Sequence, residues 1–246
     1  MKVRHLQRIN LVGRFGDPTP NDPLVLDPST VGIAMAMRTG MCPVDRAFDR
    51  FFPDELRLVS SQYWTPLAVA MRAAEWLEEA RVRTVVDIGS GAGKFCVAAA
   101  LASGCHFTGI EQRPRLVAAA RDLARVFDVE DRVAFHVGAL GETRIPEAEA
   151  YYLYNPFGEN LFGPQDHLDE DVELTFDRYA RDIAATRELL LRAPAGTHVL
   201  VYNGFGGQVP LGYHEIHADH ELPNPLSMWT KTSGREPAPT PLRRAS

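Results

Sequence analysis

The sequence has few cysteines, no excess of basic residues and no long apolar run. Its three cysteines, Cys42, Cys96 and Cys105, are too few and too scattered for a disulfide framework or a zinc cage, so we expect each to be a small, partly buried apolar residue. The net charge of −6 argues against nucleic acid as the main partner, although a local basic patch remains compatible with it. The longest aliphatic stretch, residues 97–102, is far shorter than the roughly 20 residues of a membrane-spanning helix.

Both ends of the chain differ in composition from its middle. The charged start is followed by no apolar core, so we expect no targeting segment, a cytoplasmic location and no membrane partner. Residues 1–64 are expected to form an N-terminal arm and helical cap, with an extended, proline-rich stretch over 15–27. Residues 232–246 hold three prolines and three arginines, which predicts a disordered tail.

Residues 65–231 alternate between short apolar runs and amphipathic stretches. A helix is expected from Thr65, which can cap it, with Pro66 at the first helical position. Strands are predicted at 84–88, 106–110, 132–137, 150–154 and 198–202, and helices at 94–102, 114–127 and 168–192. Two final strands, 213–219 and 226–231, have no helix between them and indicate a hairpin. The repeated strand–helix–strand units predict a mostly parallel α/β sheet with helices on both faces and an antiparallel strand at its edge.

The most informative motif follows the first strand and reads Asp87-Ile88-Gly89-Ser90-Gly91-Ala92-Gly93. Glycines there let a ligand approach the backbone, and the helix that follows presents free N–H groups. Glu111 ends the second strand, 22 residues after Gly89, which is where an acid binds ribose hydroxyls in such folds. The turn and the acid together predict a nucleoside-containing cofactor.

Three ligands compete for this turn. A phosphate-binding P-loop is rejected because Gly93-Lys94 is followed by Phe95 instead of serine or threonine. A dinucleotide site prefers G-x-G-x-x-G, whereas the spacing here is G-x-G-x-G. Asp87 favours a positively charged ligand such as S-adenosylmethionine, which has a sulfonium, an amino group and a ribose diol. The alternative to any ligand is that the motif only forms a tight strand–helix turn.

With these motifs the chain resembles the class I S-adenosylmethionine-dependent methyltransferases, over residues 65–231. The resemblance is sharpest at residues 85–93 and 109–112, and it implies a Rossmann-like seven-stranded sheet with an antiparallel C-terminal hairpin strand. It implies that Glu111 binds the ribose and that Gln112 lies against adenine. The methionine moiety would then be bracketed by Asp87 and the glycines Gly89, Gly91 and Gly93, and Ser90 is a further candidate for cofactor binding. An acid that often binds adenine in this family is missing at residues 138–140, although Glu142 follows.

A second part of the resemblance lies at the end of the fourth strand. Asn155-Pro156-Phe157 is similar to the Asn-Pro-Pro-aromatic tetrad of amine methyltransferases but lacks one proline. In the tetrad, asparagine and backbone oxygens accept hydrogens from the target nitrogen, and the aromatic ring stacks on it. The tripeptide is therefore the candidate catalytic segment, and lining the cofactor cleft or merely ending the strand are its alternatives. Residues 158–163 are a candidate cleft-covering loop.

Other residues with potential chemistry have a functional and a structural interpretation. Tyr63 and Thr65 could fold over the cofactor, or serve as an aromatic plug and a helix cap. Residues 214–220 are dense in histidine and carboxylate and could chelate a metal, but we favour a solvated edge strand without metal. We expect Trp76, Phe95 and His136 to be core residues.

The sequence therefore predicts a methyltransferase that uses S-adenosylmethionine. The acceptor is a small molecule or a protein, and nitrogen is the candidate acceptor atom. A non-catalytic S-adenosylmethionine-binding module and, less favoured, a nicotinamide-dependent oxidoreductase are the alternatives.

Overall fold

The computed structural model describes residues 29–232, which form one seven-stranded sheet with helices around it. The predicted extended arm at 15–27 and the predicted tail beyond residue 232 lie outside the described residues. The strands are β1 (Thr84–Ile88), β2 (His106–Glu111), β3 (Val133–Val137), β4 (Ala150–Tyr154), β5 (His198–Tyr202), β6 (Tyr213–Asp219) and β7 (Leu226–Lys231). Their order across the sheet is β3-β2-β1-β4-β5-β7-β6.

Eight α-helices accompany the sheet within residues 29–232. Four short ones precede the alternating region: α1 (Thr30–Arg38), α2 (Asp45–Asp49), α3 (Asp54–Leu58) and α4 (Ser60–Tyr63). The other four are α5 (Leu67–Glu79), α6 (Lys94–Ala102), α7 (Pro114–Val126) and α8 (Phe176–Arg192). None of these helices has the length and apolar character needed to cross a membrane.

The strand order places a crevice beside β1. The chain runs outward from β1 to β2 and β3, then returns to β4, which pairs in parallel with the other side of β1. At such a reversal the connections leave on opposite faces of the sheet and open a ligand crevice at the carboxyl ends of the strands. The glycine turn after β1 and Asn155 after β4 therefore lie at the same edge of the sheet.

Two apolar clusters cover the two faces of the sheet. The larger one packs α5, α6, α7 and the N-terminal helices on one face, and the smaller one packs α8 on the other. Residues 94–101 of α6 are all buried, because this helix lies between the sheet and the N-terminal helices. Trp76 and Phe95 belong to the larger cluster, which confirms that they are core residues.

The predicted sheet, its parallel section and its antiparallel C-terminal hairpin are confirmed. Two predictions of side-chain burial are wrong. His136 is exposed because β3 is an edge strand, and Cys42 is exposed in the N-terminal cap.

Two predicted helix starts are also wrong. The helix after Thr65 begins at Leu67, and the Thr65 hydroxyl lies 3.0 Å from that of Tyr152 instead of capping the helix. The helix predicted over 168–192 begins at Phe176, where the Thr175 hydroxyl accepts a hydrogen bond from the Arg178 N–H at 3.1 Å. The residues before Thr175 belong to a segment that covers the crevice.

Candidate functional site

A cleft of about 860 Å³ opens at the carboxyl ends of the central strands. Its walls come from the end of α4, the glycine turn, the ends of β2 and β4, and the segment after β4. Clefts of roughly 300–1,000 Å³ are typical of small-molecule and cofactor sites. The cleft therefore has room for a nucleoside cofactor and part of a second molecule.

The glycine turn is packed between two other parts of the chain. Gly89 and Gly91 have φ values of +77° and +54°, which disfavour any residue with a side chain. A Cβ atom at Gly89 would lie 2.8 Å from Pro156, and one at Gly91 would overlap the Trp64 ring. The glycines therefore let the end of α4 and the loop after β4 close on the turn from either side.

Glu111 is held in place by backbone N–H groups of the loops around it. Its Oε2 accepts from the Gly91 N–H at 3.0 Å, and its Oε1 accepts from the Arg113 N–H at 2.9 Å. Burial raises the pKa of Glu111, although these hydrogen bonds oppose the shift. Each carboxylate oxygen has lone pairs beyond the one used here, so the fixed side chain can still accept hydrogen bonds from a diol in the cleft.

Asp87 lies beneath the glycine turn and does not line the cleft. It is 3% exposed, and its Oδ2 accepts a hydrogen bond from the Cys96 thiol at 3.3 Å. Burial raises the pKa of Asp87 to about 7, and the nearby charge of Glu111 acts in the same direction. A cation bound above the turn would favour the ionised form of both carboxyl groups.

Part of the chain that forms this cleft matches a known protein family. A family model described as a methyltransferase domain matches residues 81–151, which span β1 to β4 and include the glycine turn and Glu111. The matched part of the chain is therefore similar to a methyltransferase domain. Together with the strand order, this confirms the predicted class I fold, the enzyme class and S-adenosylmethionine as the cofactor. Among curated proteins, none matches the chain.

Solved structures give the same fold. An O-methyltransferase candidate from Klebsiella pneumoniae shares 12% identity over 83% of this chain and 97% of its own, with a TM-score of 0.52. The mitomycin 7-O-methyltransferase MmcR shares 16% identity over 83% of this chain and 61% of its own, with a TM-score of 0.50. An RNA methyltransferase from Salinibacter ruber, solved with S-adenosyl-L-homocysteine, shares 27% identity over 70% of this chain and 96% of its own, with a TM-score of 0.49.

The fold brings most of the predicted site residues to the cleft. The residues that line it are Tyr63, Gly89, Gly91, Glu111, Gln112, Asn155, Pro156 and Phe157. Thr65, Asp87, Ser90 and Gly93 do not line it. The Ser90 hydroxyl is buried and has no hydrogen-bond partner among residues 29–232. Roles for these four residues in binding the cofactor stay predictions.

Asn155 occupies a strained turn at the end of β4. Its φ of +37° lies in the left-handed region, which costs a non-glycine residue about 1 kcal/mol or more. Its N–H donates to the Gly204 carbonyl at 2.8 Å, and its carbonyl accepts from the Gly158 N–H at 3.1 Å. Phe157 lines the cleft but is 6% exposed, because it also packs in the apolar cluster under α8.

Residues 158–175, which we call the roof segment, cover the cleft and are fastened by an arginine that the sequence analysis missed. Arg113 is buried, and its guanidinium lies 3.0 Å from Glu159 and 2.8 Å from Asp169. Tyr63 adds a hydrogen bond from its hydroxyl to the Asp166 carbonyl at 2.6 Å. Burial alone would raise the pKa of Asp169, but hydrogen bonds from arginine lower it. The candidate covering loop at 158–163 begins this segment.

A second missed side chain fixes the N-terminal helices. Lys94 is 3% exposed, and its ammonium lies 2.6 Å from Asp45, 2.7 Å from Asp49 and 3.2 Å from the Ser60 hydroxyl. Burial raises the pKa of Asp49 despite this lysine. The ion pairs hold α2, and the hydrogen bond to Ser60 holds α4, against the start of α6, which places residues 61–64 in the cleft wall.

The predicted edge strand, β6, packs against α5 through histidine and carboxylate side chains. Within residues 29–232 no group of three or more histidine, cysteine or carboxylate side chains is arranged to hold a metal ion. His217 stacks on Trp76 at 5.1 Å, and Asp219 pairs with Arg72 at 3.1 Å. These side chains thus fasten β6 to α5.

Proposed function

We propose that this chain transfers the methyl group of S-adenosylmethionine to a nitrogen atom of a small-molecule or protein acceptor in the cleft. The observation that carries the proposal is that Glu111 and Asn155 both line the same cleft. We further propose residues 65–231 as the catalytic domain, residues 29–64 as its cap, and a cytoplasmic location. The net charge of −6 disfavours a nucleic acid acceptor.

In this proposal, residues of the cleft wall and of the layer beneath it bind different parts of S-adenosylmethionine. Glu111 would accept hydrogen bonds from the ribose diol, and Gln112 would lie against adenine. The backbone around Gly89 and Gly91 would border the methionine moiety. Asp87, one layer below, would add negative charge beneath a sulfonium and an ammonium group. This assignment is supported by the fixed orientation of Glu111 and by the burial of Asp87 beneath the glycine turn.

S-adenosylmethionine supplies a methyl group that is already activated by its positively charged sulfur. When bound, it would give this methyl group to the lone pair of the acceptor nitrogen and leave as a neutral thioether, and the proton released from the nitrogen would pass to solvent. The protein must mainly align the acceptor and exclude water. Asn155 can align a nitrogen, because its side-chain amide has no hydrogen-bond partner among residues 29–232. The roof segment can exclude water.

The test compares Asn155→Gly with a matched control. Glycine keeps the left-handed backbone and removes the whole amide side chain. Asp128→Gly is the control, since Asp128 also has a positive φ, of +54°, and is exposed outside the cleft. We expect Asn155→Gly to bind S-adenosylmethionine as wild type does and to lose about 10²-fold in methyl transfer. Asp128→Gly should change neither.

Two measurements read out the result. Calorimetric titration with S-adenosylmethionine and with NAD measures cofactor choice. Transfer of a tritiated methyl group to metabolite and protein pools measures activity. If NAD binds and S-adenosylmethionine does not, the oxidoreductase hypothesis replaces this one. If S-adenosylmethionine binds but neither pool is methylated, the non-catalytic binding module replaces it.

A further inference from the structure

A second cavity, of about 370 Å³, lies beside the main cleft. It is lined mostly by apolar side chains from the end of β5, the loop after it and β7, including Phe205, Val209 and Trp229. Within residues 29–232, no charged residue lines it. A charged group placed there would lose its water without gaining a partner, so the cavity suits a neutral, apolar group.

The cavity exists because the chain between β5 and β6 forms no helix. Residues 203–212 are a glycine-rich loop in place of a covering element. Phe205 anchors this loop in the apolar cluster beneath α8, and the Tyr179 hydroxyl occupies the space that a side chain at Gly206 would need. These contacts pack the loop against α8, and Trp229 of β7 lines the cavity.

Asn203 lines both the second cavity and the main cleft. It follows β5 with a φ of +54°, and its side-chain amide has no hydrogen-bond partner among residues 29–232. Tyr154 and Tyr202 are paired across β4 and β5, so the residues that follow them, Asn155 and Asn203, are neighbours at the sheet edge. The hydrogen bond from Asn155 to Gly204 fixes the two turns to each other.

We propose that the second cavity is the acceptor subsite and that it takes a neutral aromatic group of a small-molecule acceptor. The proposal rests on the proposed function. Asn203 would hydrogen-bond the polar group that joins the ring to the reacting nitrogen, and Asn155 would hold that nitrogen in the cleft. An aromatic ring fits the lining because Phe205 and Trp229 offer ring contacts. The Trp229 indole N–H already donates to the Ser227 hydroxyl at 2.9 Å, so it does not need a hydrogen-bond acceptor on the ligand.

The test uses 4-fluoroaniline as the probe, observed by fluorine NMR, with S-adenosylhomocysteine filling the cofactor site. The probe combines a neutral ring with an amino nitrogen, and 4-fluorobenzoate is its anionic counterpart. We expect 4-fluoroaniline to bind wild type in the millimolar range, as roughly suits a fragment of this size. The benzoate should bind at least about tenfold more weakly, because its charge is not matched in the cavity.

Three variants test whether 4-fluoroaniline binds in the second cavity. Val209→Phe fills the cavity and should weaken 4-fluoroaniline about tenfold or more. Leu211→Phe is the matched control in the same loop; Leu211 is 98% exposed, so binding should not change. Asn203→Gly removes the amide while keeping the left-handed backbone, and should weaken the probe about threefold to tenfold. It also serves as the second test if Val209→Phe does not fold.

Calorimetry with S-adenosylhomocysteine on every variant separates this proposal from the proposed function. If the cofactor product binds but 4-fluoroaniline does not bind wild type at about 10 mM, the subsite is refuted, whereas the proposed function is not contradicted. Equal binding of the probe to wild type, Val209→Phe and Asn203→Gly refutes the subsite as well. If S-adenosylhomocysteine fails to bind wild type, the proposed function itself is wrong.

Discussion

Replacing Asp87 with asparagine should change how the stability of the protein depends on pH. Burial raises the pKa of Asp87 from 3.8 to about 7 in the folded chain. Because the unfolded chain gives up this proton at a lower pH, stability falls as the pH rises from about 4 to about 7. An asparagine side chain cannot ionise, so the Asp87→Asn variant should lack this loss.

The size of the stability change follows from the raised pKa of Asp87. Each pKa unit corresponds to about 1.4 kcal/mol, so the buried carboxylate costs wild type about 4 kcal/mol at pH 8 and about 1.5 kcal/mol at pH 5. The stability of Asp87→Asn relative to wild type should therefore rise by about 2.5 kcal/mol between pH 5 and pH 8. An unsatisfied amide N–H would cost roughly 1–3 kcal/mol at both pH values and cancels in that difference.

The assay is urea unfolding of both proteins at pH 5 and pH 8, without cofactor. Asp131→Asn is the control because Asp131 is exposed, and its effect should be the same at both pH values. A relative stability of Asp87→Asn that does not change with pH would refute the reasoning. The same variant should bind S-adenosylmethionine about tenfold or more weakly, which would indicate that the buried carboxylate serves the cofactor at a cost in stability.

Two further predictions concern the roof segment and the glycine turn. Arg113→Met leaves Glu159 and Asp169 without their buried partner and should lower the free energy of unfolding by about 3 kcal/mol in a urea titration. Arg125→Met, which breaks an exposed ion pair, should cost less than about 0.5 kcal/mol, and equal losses would contradict the role of the buried network. Gly91→Ala should weaken S-adenosylhomocysteine binding about tenfold, because its methyl group would displace the adjoining Trp64 ring from the cleft wall. Gly40→Ala, also at positive φ but in open space, should bind normally in the same calorimetric titration.

Features carried by neighbouring residues could be predicted from the sequence. Strands β4 and β5 and the C-terminal hairpin have the predicted bounds, because apolar runs of five to seven residues between turn residues report a strand directly. The glycine turn could be placed for the same reason. A ligand-binding turn of this kind needs a strand, its glycines and a helix start in immediate succession.

Features that depend on partners distant in the chain could not be predicted. Arg113 resembles any arginine at a helix start until the fold brings Glu159 and Asp169, 46 and 56 residues further on, to its guanidinium. His136 lies inside a predicted strand, but its exposure depends on whether that strand is at the edge of the sheet. The strand order, which places β3 at the edge, decides this.

The sequence by itself determined the class of fold and the location of the cofactor turn, because both are set by local periodicity and by residues that adopt left-handed backbone. Only the tertiary structure decided that Asp87 lies beneath the cleft, while Glu111 and Asn155 line it. It also placed Asn203 between the cleft and a second cavity. The physical reason is that burial and charge pairing depend on which strands become neighbours, and that order is a property of the whole chain.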